Sequence, residues 1–139
     1  MPYETTWSEA GIEWRYFGHV TPDETREADR IFYGDQRSDY ASYQLIDLRD
    51  VTILDYPFEE QKLSAAIDGA ASITMPGVRV AFIVPDGRFD EALNTYMEQL
   101  NATAWKARSF TDPIEARNWC ERRGEDRLAE RRRHLALDR

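Results

Sequence analysis

The chain is poor in residues equipped for covalent or metal chemistry. It has one cysteine, Cys120, and two histidines, His19 and His134, in 139 residues. A single thiol excludes an internal disulfide and cannot by itself supply a structural zinc site. Nucleophilic catalysis needs a base within reach of the nucleophile, most often histidine, and neither histidine falls in a recognised spacing with serine or Cys120. Glycine-rich phosphate cradles of the P-loop or dinucleotide kind are missing as well, which argues against a nucleotide cofactor. Long apolar runs are absent: 42% hydrophobic and 32% charged residues, with a mean hydropathy of -0.68, are enough for a packed interior and too little for a membrane span. A formal net charge of -8 gives a field that repels polyphosphates, so nucleic acid is not an expected partner. Residues 1–7 carry an acid where a signal peptide needs basic charge, and no apolar stretch follows, so the expectation is a cytoplasmic protein.

What is present reads as alternating strands and helices. Tyr3, Thr5 and Trp7 alternate with polar neighbours, and Ile12, Trp14, Tyr16, Gly18 and Val20 form a second alternating run, the pattern of a β-hairpin. Thr21, Pro22 and Glu24 form a helix-start signature, predicting a helix over 22–33 with Ala28, Ile31 and Phe32 inward. Residues 43–48 read as a central strand followed by a loop over 49–56. A helix then follows with Leu63, Ala66, Ile67 and Ala70 inward. The β-branched run 78–84 and the stripe Phe89, Ala92, Leu93, Tyr96, Met97 and Leu100 make a further strand and helix. A last strand is expected over 103–110. Asp112, Pro113 and Glu115 open another helix that buries Ala116, Trp119 and Cys120, and Gly124 reads as its C-cap.

The order is β-β-α-β-α-β-α-β-α-α, an α/β fold with a mixed, mainly parallel sheet opened by a hairpin and joined by crossover helices. Residues 1–123 read as the domain and 124–139 as a charged helical extension. From residue 122 onward seven arginines face four acids, a net +3 that leaves -11 on the first 121 residues.

The acidic residues at strand ends are the candidates for function, because open α/β sheets bind ligands at that edge. Asp47, Asp50, Asp55 and Asp86 all fall there. A metal-dependent phosphoacceptor would want an acid pair after the first parallel strand, where this chain has His19 instead, so no metal is expected. A plainer role is also open to them, with Asp55 and Asp86 capping helices and Asp47 accepting backbone amides. The working surface is assigned to Asp47, Arg49, Asp55, Tyr56, Asp86 and Arg88, where helix N-termini and arginines favour an anion.

Gly18 before the Thr21 to Glu24 cap, the strand Leu45-Ile46-Asp47-Leu48, the run Val80-Ala81-Phe82-Ile83-Val84 and the closing segment from Phe110 to Trp119 resemble the SpoIIAA-like, or STAS-type, domains, and in particular small bacterial proteins of that type. The resemblance implies a βα superhelix and a non-enzymatic module. Members of the wider group act as anti-anti-sigma factors or transporter appendages, or, through similarity to CRAL-TRIO lipid carriers, bind apolar molecules. The antagonists carry a phosphorylated serine after an aspartate at a helix start; here Asp55 is followed by Tyr56 and Pro57. Two functions are therefore expected. One is a regulatory module that presents Tyr56, Pro57 and Phe58 to a protein partner, a homodimer included. The other is a carrier or sensor of a small apolar or anionic ligand, held under the helices with Arg49 or Arg88 at its head group.

Overall fold

A computed structural model describes residues 2–137. Asp138 and Arg139, the last two residues of the expected extension, lie outside the described residues. Five strands form one sheet in the order β1-β2-β3-β4-β5: β1 (Tyr3–Trp7), β2 (Gly11–Val20), β3 (Tyr43–Leu54), β4 (Arg79–Ile83) and β5 (Lys106–Phe110). β1 runs antiparallel to β2, and every later neighbour is parallel. The mixed, mainly parallel α/β sheet opened by a hairpin is thus present.

Four α-helices cover the sheet: α1 (Pro22–Tyr33), α2 (Phe58–Thr74), α3 (Asp90–Asn101) and α4 (Pro113–Leu137). Their starts follow local chemistry. The Thr21 amide donates to Glu24 Oε2 at 3.0 Å, and the Ile114 amide donates to Asp112 Oδ1 at 2.9 Å, so orphan amides at both helix entries find carboxylates. Strand alternation divides the core in two. Ile12, Trp14, Tyr16, Val80 and Phe82 pack under α1, α2 and α3, whereas Tyr43, Leu45, Ala81, Ile83 and Phe110 pack against Ala116 and Cys120 of α4. No helix among the described residues is long and apolar enough to cross a membrane.

Four expectations are corrected. β3 does not stop at residue 48 but runs to Leu54, because β3 bulges twice against β2 where the charged residues break the alternation. Arg15 pairs with Asp47 and Phe17 with Asp50, so two residues of β3 oppose one of β2; a second shift follows Gly18, whose φ of +69° suits glycine. The last strand starts at Lys106 rather than at 103, since the Thr103 hydroxyl donates to Leu100 O and accepts from the Trp105 amide, which ends α3. Gly124 is no C-cap, and there is one C-terminal helix where two were expected. α4 runs through this buried glycine, where a Cβ would meet Ala10 Cβ at 2.9 Å, so packing and not termination selects it.

The fourth correction concerns α2. Leu63 and Ile67 point outward, 45% and 38% exposed, with Ala66 and Ala70 also outward. The buried positions are Gln61, Ala65, Asp68 and Ser72, which repeat at helical spacing and are mostly polar.

Candidate functional site

The polar underside of α2 faces a cavity. Trp14, Tyr16, Ile46, Val80 and Phe82 of the sheet form its floor; Ala28 and Asp29 of α1, Ser64 and Asp68 of α2, and Leu93 and Tyr96 of α3 form its roof. Tyr56, in the connection from β3 to α2, completes the wall. The cavity measures about 80 Å³. That is room for roughly two or three waters at ~30 Å³ each, and about half the ~150 Å³ of an enclosed cavity that holds benzene.

Most polar groups around the space are paired. Asp68 accepts from the Tyr33 hydroxyl at 2.5 Å and from the Tyr96 hydroxyl at 2.6 Å. Burial pushes its carboxyl up, against the lowering effect of the two phenol bonds. The phenols of Tyr33 and Tyr96 are themselves pushed up by burial and by the neighbouring carboxylate. Gln61 ties the wall together: its amide donates to Tyr56 O at 3.0 Å and its Oε1 accepts from the Tyr96 amide at 3.2 Å. Below them, Trp14 Nε1 donates to Gln44 Oε1 at 3.1 Å. Burial raises the phenol pKa of Tyr56, and Ser64 offsets part of that rise.

The Tyr16 hydroxyl, on the floor, has no side-chain partner among the described residues. Asp29 is the other exception. It lines the cavity and has no hydrogen-bond or ion-pair partner among the described residues. Burial first, and the nearby Asp68 carboxylate second, push its pKa up to about 7. It is half-buried and borders the cavity, so a bound molecule could supply the missing hydrogen bond. The same Asp29 and Ser64 also line an outer groove between α1 and α2, with Arg26, Arg30, Tyr33, Glu60, Leu63 and Ile67. These two shared residues mark where the groove meets the cavity. Arg26 is bonded there to Glu60.

The residues expected at the working surface occupy different places. Asp47 is buried and pairs with Arg49, whose Nη2 lies 2.8 Å from Oδ2 and whose amide donates to Oδ1 at 3.0 Å. Burial pushes the Asp47 carboxyl up, but these bonds outweigh it and hold the group below its ordinary range. The pair sits at the first β3 bulge, on the sheet face shared with Tyr43 and Leu45 that α4 covers. Tyr56 is half-buried on the opposite face, its ring 6.4 Å from that of Tyr96. Asp55, Asp86 and Arg88 are exposed, and no side-chain hydrogen bond or ion pair among the described residues joins them to the others. Arg88 lies over the Phe89 ring at 6.0 Å, and Asp86 occupies a turn at φ +47°. The expected caps are not formed: Pro57 and Phe89 stand at the N-caps of α2 and α3, without a side-chain cap bond. Asp47 does accept a backbone amide, as expected. Neither Arg49 nor Arg88 lines the cavity.

Asp29, Ser64, Asp68 and Tyr96 were missed as site residues. Asp68 could have been found from the Gln61, Ala65, Asp68, Ser72 spacing, which is as periodic as an apolar stripe but polar. Asp29 carries no such local signal. No group of three or more His, Cys, Asp or Glu among the described residues could hold a metal ion. Cys120 is buried against the sheet, and burial raises its thiol to about 12, the setting of an unreactive core cysteine.

No family model and no curated protein matches the chain. Among solved structures, it is similar to an uncharacterised protein of the DUF3478 family with a SpoIIAA-like fold from Shewanella loihica PV-4. The two are 17% identical, with a TM-score of 0.52, over 85% of this chain and 91% of that one. At that identity the likeness speaks for architecture, and it agrees with the strand order and helix placement above: the chain has a SpoIIAA-like fold.

Proposed function

We propose that this SpoIIAA-like domain is a non-enzymatic binding module that takes a small molecule into the cavity beneath α1, α2 and α3. The observation that carries this reading is Asp29, a half-buried carboxyl on the cavity wall without a protein partner, which a donor on a bound molecule can meet. Two of the phenols beside the space are engaged in structure, Tyr33 and Tyr96 both serving Asp68. That supports binding in preference to turnover. Occupancy of the cavity would bear on α2, whose outer flank carries the exposed Phe58, Leu63 and Ile67 beside the groove, so the module can report a ligand to a protein partner through this helix.

The test uses indole as an uncharged probe, in ligand-detected NMR. Wild-type protein is expected to give saturation transfer to indole. Ala28→Leu, which pushes a larger side chain into the cavity from α1, is expected to abolish it while unfolding cooperatively. Equal transfer to both proteins, or none to the wild type, refutes the reading.

A further inference from the structure

We propose that the cavity selects a protonated amine with a compact apolar body; this deepens the preceding reading and rests on it. Charge is the first argument. Two carboxyl side chains, Asp29 and Asp68, line the space, and no arginine, lysine or histidine does. The cations nearby are accounted for elsewhere. Arg26 is bonded to Glu60, and Arg30 lines only the outer groove. An anionic ligand would bring further negative charge beside two acids with no cation to meet it, whereas an ammonium group offers three donors and one positive charge.

The second argument is what the pairing leaves over. Asp68 already accepts from two phenols, and the Trp14 indole N–H already has Gln44. The open groups are the Asp29 carboxyl, which as a carboxylate only accepts hydrogen bonds, and the Tyr16 hydroxyl, which accepts as well as donates. An ammonium donor can bond to both, whereas an acceptor can meet only the hydroxyl.

The third argument is the shape of the other walls. The rings of Trp14 and Tyr16 stack with centroids 6.2 Å apart, and Tyr96 meets Phe82 edge-on at 5.7 Å and Tyr56 at 6.4 Å. Aromatic faces bind both an apolar body and a cation, more strongly where water is excluded. At about 80 Å³ the cavity takes the ammonium end of such a molecule, and the apolar remainder extends toward the groove that shares Asp29 and Ser64. The raised pKa of Asp29 is consistent with a carboxyl whose charge lacks a partner, the condition an ammonium ion would relieve.

The experiment is isothermal titration at pH 8 with three probes of similar size: benzylammonium, benzyl alcohol and benzoate. Wild-type protein is expected to bind benzylammonium at least about tenfold more tightly than benzyl alcohol and not to bind benzoate measurably. Asp29→Asn is expected to lose about tenfold or more for benzylammonium while keeping benzyl alcohol within about twofold, so that alcohol binding itself reports an intact cavity in the variant. Benzyl alcohol or benzoate binding as well as benzylammonium overturns the amine assignment and leaves the cavity reading standing. An unchanged benzylammonium affinity in Asp29→Asn overturns it too. Failure of all three probes on wild-type protein overturns both readings. The wild-type comparison needs no variant to fold.

Discussion

Replacing Asp29 by Asn keeps the side chain's shape but exchanges one acceptor oxygen for a donor NH2 group and removes a titration. In the folded protein Asp29 has a pKa of about 7, against an ordinary value of 3.8. A raised carboxyl pKa means that the folded state holds the proton more tightly than the unfolded chain. The associated stability is present in full below 3.8 and is lost as the pH rises through about 7. Integrating the linkage between pH 5 and pH 8 gives a loss of about 2.5 kcal/mol for the wild type that the variant does not share. Asp68 is also pushed up by burial, but it is present in both proteins and largely cancels in the difference. Urea unfolding of the two proteins at pH 5, 6, 7 and 8 measures this directly. The gap should change steadily across the series, with Asp29→Asn gaining relative to wild type at the alkaline end. Parallel stability curves would refute the reasoning, because they would mean that Asp29 is as well solvated in the folded chain as in the unfolded one.

Two further substitutions probe the supports on either side of the sheet. Gln44→Leu strips the acceptor from the buried Trp14 indole N–H beneath the cavity and should cost about 1–3 kcal/mol in chemical denaturation, where a value within about 0.5 kcal/mol of wild type would show that water takes its place. Arg49→Ala takes the guanidinium away from the buried Asp47 carboxylate and leaves it the backbone amide alone as a hydrogen-bond donor, so it should cost about 1–3 kcal/mol at pH 7, more than the ~0.5 kcal/mol usual for an exposed charge. Because the Asp47 pKa is lowered, that contribution exists above 3.8 and fades as the pH falls below it; a cost that does not shrink on acidification would mean that the pair is not its source.

Much of the scaffold could be read from local pattern. The 22–33 helix matches α1 residue for residue, because its cap, proline and acid act within one turn. The α3 stripe buries Leu93, Tyr96 and Leu100 as expected, and Cys120 is a core residue. The boundary at residue 48 fails for a physical reason. Arg49 and Asp50 look like a turn in one dimension, yet Arg49 bonds Asp47 on its own strand and Arg15 reaches Asp50 from β2, so the charges hold a bulge inside a continuing strand.

The site itself separates what a single chain order can determine from what only packing decides. Composition and periodicity determine an acidic α/β domain with a hairpin, parallel strands and a thiol kept in the core, since these follow from which residues bury and how often they recur. They do not say which face of an alanine-rich helix turns inward. In α2 the apolar set Leu63, Ala66, Ile67 and Ala70 loses to Gln61, Ala65, Asp68 and Ser72, because Tyr33 from α1 and Tyr96 from α3 meet Asp68 and satisfy its carboxylate. Those partners lie 35 and 28 residues away. Burial of a charge is tolerable only where such partners converge, and the convergence of three helices over one sheet face exists only in the folded chain.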